Sequence, residues 1–239
     1  MHCLASPVLL CAAAGSVRLH NMTPEANMKI AQMWNLDPTK VLTRRELALV
    51  LADLKSKAQD HANARRNLVI FRLASCCGLR VSEIACLRLE WTYFGVDRPH
   101  LRLPWHVTKG KKARMVPLWW DAGTLADLSA WKAERLGQGA TGADPFVCSV
   151  QAHLRGQPLK RHAIRRRFLS ACKVLGLARL RTLTIHHGRH TYISHALAGG
   201  RTLAEVRAAA GHSNVAITSA YLHVVVDDDD AVGNLFAAR

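Results

Sequence analysis

His186-His187-Gly188-Arg189-His190-Thr191, followed by Gly211-His212-Ser213-Asn214 and then Tyr221, is the densest polar chemistry in this 239-residue chain. His186 and Arg189 stand at i and i+3, so on a helical turn both face one direction. His186 and His190 also have the H-x-x-x-H spacing of a zinc-binding helix. The glutamate that such a site needs is replaced by His187, which argues against a metal. Thr202-x-x-Glu205 is a capping box, with Leu203, Val206 and Ala210 expected to face inward and Gly211 to end the helix. Ser213 or Asn214 can cap the next helix, which is expected to carry Tyr221. A tyrosine on a helix is, taken alone, ordinarily a packing residue.

Upstream, residues 1–40 show no sustained periodicity. Thr43-x-x-Glu46 is another capping box, and Leu47, Val50, Leu51 and Leu54 follow at helical spacing. A second helix is predicted from Asn63 to Cys77, apolar on several sides at Leu68-Val69-Ile70-Phe71 and therefore buried, with Gly78 as its left-handed stop. Ser82 to Leu87 reads as a short helix. The period then changes to two: Leu87 to Trp91 and Leu101 to Leu103 alternate as half-buried strands do, and Ala113 to Leu118 reads as a third strand after a basic turn. From Asp121 helical signals return, interrupted by the Gly-rich loop 137–144, the one obvious internal linker. The expected fold class is α+β, mainly α, with a small antiparallel three-stranded sheet.

The chain carries 33 Lys and Arg against 17 Asp and Glu, a net charge of +16. Such an excess points to a polyanionic partner, most often nucleic acid, with a generally basic soluble protein as the bland alternative. Ten Lys/Arg and no Asp or Glu lie between Arg155 and Arg189. Asp227 to Asp230 is the one strong acidic run and reads as solvated tail. The seven cysteines include no C-x-x-C pair, which excludes a zinc ribbon and a disulfide framework and fits free thiols in a reducing compartment. Cys3 to Gly15 is apolar but lacks the basic n-region of a signal peptide, and no stretch reaches the roughly 18 apolar residues of a membrane span.

Three further segments have the chemistry of an anion site. Gly78-Leu79-Arg80-Val81-Ser82-Glu83 puts an arginine at a helix start, where backbone N–H groups add to the guanidinium. Thr108-Lys109-Gly110-Lys111-Lys112 places lysines on a hairpin tip that can reach a groove. In the helix expected from Pro158 to Leu175, Ile164, Phe168, Cys172 and Leu175 form an apolar stripe, and Arg161, Arg165 and Arg166 fall on other faces, suited to DNA phosphates or simply to water.

The segment from His186 to His223 resembles the C-terminal signature of the tyrosine recombinases, the phage-integrase family. Its H-x-x-R-H-T, A-G-H-S and Tyr-x-His elements appear as His186 to Thr191, Ala210 to Ser213 and Tyr221-Leu222-His223. Gly78 to Leu87 resembles the family's first-arginine motif, and Lys109 to Leu118 its K-x-x-K-x-R-x-V-P-L turn and strand. The match runs from about Thr43 to Val226, four motifs in family order. Gly188 departs from it, standing where a leucine is usual. So does the N-terminus: the family ordinarily carries a helical core-binding domain first. About forty residues before Thr43 are too few for one, so a catalytic-domain-only member or a truncated chain is expected.

The resemblance implies an N-terminal extension at 1–40, a catalytic domain at 41–226 and an acidic tail at 227–239 that docks on a neighbour or folds back. It implies that Tyr221 attacks a DNA phosphorus to give a 3′-phosphotyrosyl intermediate, without metal, cofactor or ATP. Arg80, Arg189 and His212 would hold the non-bridging oxygens, His186 would take the tyrosine's proton, and Lys109 would protonate the leaving 5′-oxygen. Glu83 would brace an arginine. Lys111, Lys112, Arg114, Arg161, Arg165 and Arg166 would contact DNA. The implied partner is double-stranded DNA, bound as a homotetramer on synapsed sites, with a monomer free in solution and an accessory protein as a further partner; the implied location is cytoplasmic, at the nucleoid. Type IB topoisomerase-like relaxation and a DNA-binding module without autonomous recombination remain open beside this.

Overall fold

Helix α2, Ala62–Ser75, is buried along nearly its whole length, and it is therefore the element around which the others gather. The structure, a computed structural model, describes residues 36–222. The acidic tail and most of the expected N-terminal extension lie outside the described residues. Among the described residues the other helices are α1 (Arg44–Ala58), α3 (Val81–Cys86), α4 (Ala122–Gly137), α5 (Arg161–Ala171), α6 (Gly176–Thr182), α7 (Ile185–Ala198), α8 (Leu203–Ala210) and α9 (Val215–Ser219). Strands β1 (Thr92–Tyr93), β2 (His100–Leu103) and β3 (Arg114–Pro117) form an antiparallel sheet in that order. This is the mainly helical α+β fold that the periodicities predict.

Helices α1, α4, α5 and α7 all pack on α2. Ile70, Phe71 and Leu73 of α2 are fully buried, and each such side chain contributes about 1.5–3 kcal/mol of transfer free energy. Phe71 stacks on Phe168 of α5 with centroids 5.8 Å apart. Besides Arg66, Asn67 and Ser75, this layer encloses the polar Arg72. Its Nε donates to Asp127 at 2.8 Å and its Nη1 to Asp121 at 3.2 Å and Thr124 at 3.1 Å, so the buried charge is paired and bonded. A smaller apolar cluster joins Cys76, Trp120, Tyr192, Ile193, Val206, Ala210 and Tyr221. The described residues fall within one compact unit.

The capping boxes at Thr43/Glu46 and Thr202/Glu205 form as their sequences require. Four expectations shift. Leu87 to Trp91 is not a strand: Leu89–Trp91 is a 3-10 turn, closed by Thr92 Oγ1 donating to Leu89 O at 2.6 Å, and the strand starts at Thr92. Leu87 and Leu89 are both buried, so the alternation correctly marks inward positions, but the N–H groups of Leu89 and Glu90 bond to Asp144 and Gly142 instead of a strand. The Gly-rich loop is thus stitched to the sheet's start rather than serving as a free linker. The helix expected from Pro158 begins only at Arg161 and passes at Cys172 into a 3-10 turn, Lys173–Leu175. Tyr221 lies beyond α9, in a turn whose N–H bonds to Thr218 O at 3.1 Å.

Two glycines set close approaches near the arginine motifs. A Cβ on Gly188 of α7 would stand 2.9 Å from Ser75 Oγ and 3.0 Å from Ala74 Cβ, so α7 crosses α2 backbone-to-backbone at the position where the family resemblance leads one to expect leucine. Gly78 has φ +63°, and a Cβ there would stand 2.3 Å from Cδ1 of the Tyr192 ring. Among the described residues no helix is long and apolar enough to cross a membrane. Cys76, Cys77, Cys148 and Cys172 are buried free thiols and Cys86 is an exposed one.

Gly78→Ala adds a left-handed alanine to an overpacked ring contact. It is expected to cost roughly 2–5 kcal/mol of unfolding free energy, read by urea denaturation; a loss below about 0.5 kcal/mol would show that the Tyr192 contact yields freely.

Candidate active site

Strand β3 breaks its own pattern, with Arg114 facing inward and Met115 outward. The inversion has a partner. Glu83, fully buried on α3, accepts from Arg114 Nη1 at 3.1 Å and Nη2 at 3.0 Å. The same carboxylate accepts from Arg80 N at 2.7 Å and Arg80 Nη1 at 3.1 Å. Arg114 Nε donates to Ala209 O at 3.0 Å, at the end of α8. Its Cδ lies so close to Gly211 that a Cβ there would sit 2.6 Å away, and Gly211 itself has φ +68°. Arg114, expected on the DNA face, is instead a buried tie between α3, β3 and the turn before His212, because its fork is consumed by Glu83.

Helix α7 supplies the second arginine. His187, which stands where a zinc-site glutamate would, performs the cap: its Nδ1 accepts from Thr184 N at 3.0 Å. Two residues on, Arg189 is buried and donates Nη1 to Gly78 O and Nη2 to Ala210 O, both at 2.6 Å. These bonds join the first-arginine turn to the Gly211 turn. Burial pushes the Arg189 pKa down to about 9, with Arg80 and Arg114 adding to the effect, so it stays charged at neutral pH. His186 is exposed, and burial of its inner part lowers its pKa, helped by Arg165, Arg189 and Arg80 around it. His186 thus shares its surroundings with both motif arginines.

His212 follows Gly211, and its Nδ1 meets Thr218 Oγ1 at 2.9 Å. Burial first, then Arg189, Arg80 and Arg114, press its pKa down to about 3, so the ring is neutral. Tyr221 is buried, its ring 6.4 Å from that of His212. Its hydroxyl lies 2.6 Å from Nδ1 of His190. The family resemblance gives the tyrosine's proton to His186; the imidazole in contact with the hydroxyl here is His190, one helical turn further along α7. Burial raises the phenol pKa, while Arg189 and Arg80 act to lower it.

A cavity of about 690 Å³ opens beside these groups, lined in part by Arg80, Arg102, Lys112, Arg114, Arg207 and His212. Arg80, Arg189, His186, His212 and Tyr221 are therefore brought together. Lys109 and Lys111 are not: both are exposed on the β2–β3 tip, where Thr108 Oγ1 donates to Lys112 O at 2.8 Å and Lys111 takes φ +48°. Arg161, Arg165 and Arg166 are exposed on α5, with Arg165 nearest to His186. Among the described residues no group of His, Cys, Asp and Glu is placed to hold a metal.

The charge balance is uneven. At Arg72 one guanidinium meets two aspartates. Here Arg80 and Arg114 both pair with the single carboxylate of Glu83, and Arg189 lies within its field without bonding it. The excess positive charge surrounds a phenol. Residues 40–227 match the phage integrase family.

The chain belongs to the phage integrase family. It is 32% identical over 193 residues to a tyrosine recombinase of Pseudothermotoga lettingae, a match covering 78% of this chain and 60% of that protein. It is 28% identical over 217 residues to tyrosine recombinase XerD of Staphylococcus aureus, covering 91% and 66%. The chain thus spans roughly three-fifths of the length of the curated relatives it matches. The XerH site-specific recombinase bound to difH substrate, in a pre-cleavage complex, shares the fold with a TM-score of 0.61 at 21% identity, over 80% of this chain and 51% of that one.

Glu83→Gln removes the one negative charge among the three guanidiniums. The variant is expected to lose about 3–5 kcal/mol of stability, measured by urea denaturation. A loss below about 1 kcal/mol would mean that hydrogen bonds alone hold the cluster.

Proposed function

We propose that this chain is a site-specific DNA recombinase that cleaves and rejoins strands through a 3′-phosphotyrosyl intermediate. The observation that carries the proposal is the under-neutralised pair Arg80 and Arg189 beside a buried phenol. Arg80 commits only Nη1 of its side chain to Glu83, leaving Nε and Nη2 for phosphate. Guanidiniums suit this task because they present planar paired donors and keep their charge. Their fixed positions stabilise the charge that builds on a phosphorane, usually the largest catalytic contribution. Nδ1 of His212 is held by the Thr218 hydroxyl, which leaves Nε2 as the ring nitrogen to offer a hydrogen to a non-bridging oxygen. His186, beside Arg80 and Arg189, is a further phosphate partner.

In the forward step the Tyr221 oxygen bonds to phosphorus, the P–O5′ bond breaks, and Lys109 protonates the leaving oxygen. The phosphodiester bond is exchanged rather than hydrolysed, so no ATP is required. Lys109 stands on a hairpin tip, exposed as a group must be that reaches DNA only when DNA is present. Lys111, Lys112, Arg161, Arg165 and Arg166 form the phosphate-contacting face, and Arg114 serves the interior instead. We take residues 41–226 as the catalytic unit, in keeping with the family match over 40–227. Double-stranded DNA is the partner, and a homotetramer on synapsed sites is the assembly the family resemblance implies.

Tyr221→Phe is expected to abolish covalent trapping on a nicked suicide duplex while leaving DNA binding intact; a persisting adduct would assign the nucleophile elsewhere. Lys109→Ala should cleave slowly and recover on DNA with sulfur at the 5′-bridging position, which leaves without a proton. Absence of that rescue removes Lys109 as the general acid.

A further inference from the structure

The contact between His190 and Tyr221, at 2.6 Å, is as short as any polar link in the site, yet the four motifs assign His190 no role. We propose that His190 is a catalytic residue: its Nδ1 accepts the Tyr221 hydroxyl hydrogen in the resting enzyme and takes that proton when the phenol attacks phosphorus. This rests on the recombinase reading above.

The geometry leaves little choice of acceptor. Tyr221 lies between two imidazoles, with ring centroids 5.7 Å from His190 and 6.4 Å from His212. His212 has its Nδ1 engaged by Thr218. Nδ1 of His190 is 2.6 Å from the hydroxyl, within proton-transfer distance without rearrangement. The backbone reinforces this placement. The next residue, Thr191, accepts from Leu42 N at 2.9 Å and donates to His187 O at 2.7 Å, fixing that turn of α7. The preceding residue is the phosphate-facing Arg189, so nucleophile activation and charge stabilisation ride on adjacent positions of one helix.

The charged surroundings favour a neutral ring. His187, whose ring is 6.3 Å away, and His186 and Arg189 on the same helix face His190, as does Lys40 from the N-terminal turn. Burial leads, and these groups add, in pushing the His190 pKa down to about 4. A neutral imidazole has a free lone pair for the phenol. A phosphodiester entering beside Arg189 supplies the negative charge that offsets the surrounding cations, so the ring becomes a better base when substrate arrives. The transfer balances: Tyr221 loses its hydrogen to His190 Nδ1, the Tyr221 oxygen bonds to phosphorus, and the P–O5′ electrons leave with a proton from Lys109. Religation returns the His190 proton to the phenol.

The test uses the full chain and a pool of nicked random-sequence duplexes, from which covalent adducts are captured. His190→Asn keeps an acceptor near the Nδ1 position but cannot hold the proton. It is expected to slow adduct formation by at least about a hundredfold, with non-covalent binding to the same pool unchanged. If Tyr221-dependent capture by His190→Asn is as fast as wild type or faster, the His190 assignment falls and the recombinase reading stands. If adduct forms independently of Tyr221, that reading falls too. Nitrogen-15 spectra of the wild-type imidazoles give a readout that needs no variant at His190. Nδ1 is expected unprotonated with the hydrogen on Nε2, and its resonance should shift in Tyr221→Phe. A protonated Nδ1 overturns the proposal even where His190→Asn fails to fold.

Discussion

A single buried carboxylate organises the site. Glu83 accepts from the backbone and side chain of Arg80 and from both terminal nitrogens of Arg114. Through Arg114 it reaches Ala209 at the end of α8, and through that arginine's packed stem it reaches the Gly211 turn. Arg189 closes the loop from the other side by bonding Gly78 and Ala210 carbonyls. Three segments distant in sequence are thereby held by charge-assisted bonds in a dry interior, where such bonds are strong and their loss is costly. The positions of Arg80, Arg189 and His212 relative to one another follow from this network, not from any local propensity.

The same network leaves positive charge unspent. A structural ion-pair cluster tends toward neutrality, as the Arg72 cluster does with Asp121 and Asp127. The Glu83 cluster stops short of it. Holding like charges together costs free energy, and that cost is released when an anion enters. The left-handed Gly78 turn against Tyr192 and the close α2–α7 crossing at Gly188 bring the two arginine motifs within reach of each other. The helical core supplies the rigidity; the charge imbalance supplies the purpose.

Much of this was legible before the coordinates. The capping boxes at Thr43 and Thr202, the buried α2, the left-handed stops at Gly78 and Gly211 and the antiparallel strands all follow from local patterns that local physics obeys. What escaped was non-local. Arg114 reads as a surface cation because nothing nearby in sequence shows that Glu83 waits inside. Leu87 to Trp91 reads as a strand because two inward leucines two apart look the same in a 3-10 turn. Tyr221 reads as helical because the end of α9 is set by a turn bond to Thr218. His190 is visible only as one histidine among three, since its partner lies 31 residues away. That partnership has no spacing rule, and only the folded arrangement reveals it.

The clamp on Leu42 carries a mechanical consequence. Thr191 and His195 of α7 hold the N–H and C=O of Leu42 at 2.9 and 2.8 Å. The chain just ahead of α1 is therefore riveted to the helix that bears Arg189 and His190. Both backbone polar groups of Leu42 are thus satisfied inside the fold by α7 side chains, and parting this stretch from α7 would leave a buried donor and a buried acceptor unpaired. Leu42 thus belongs to the packing of α7 rather than to a passive lead-in.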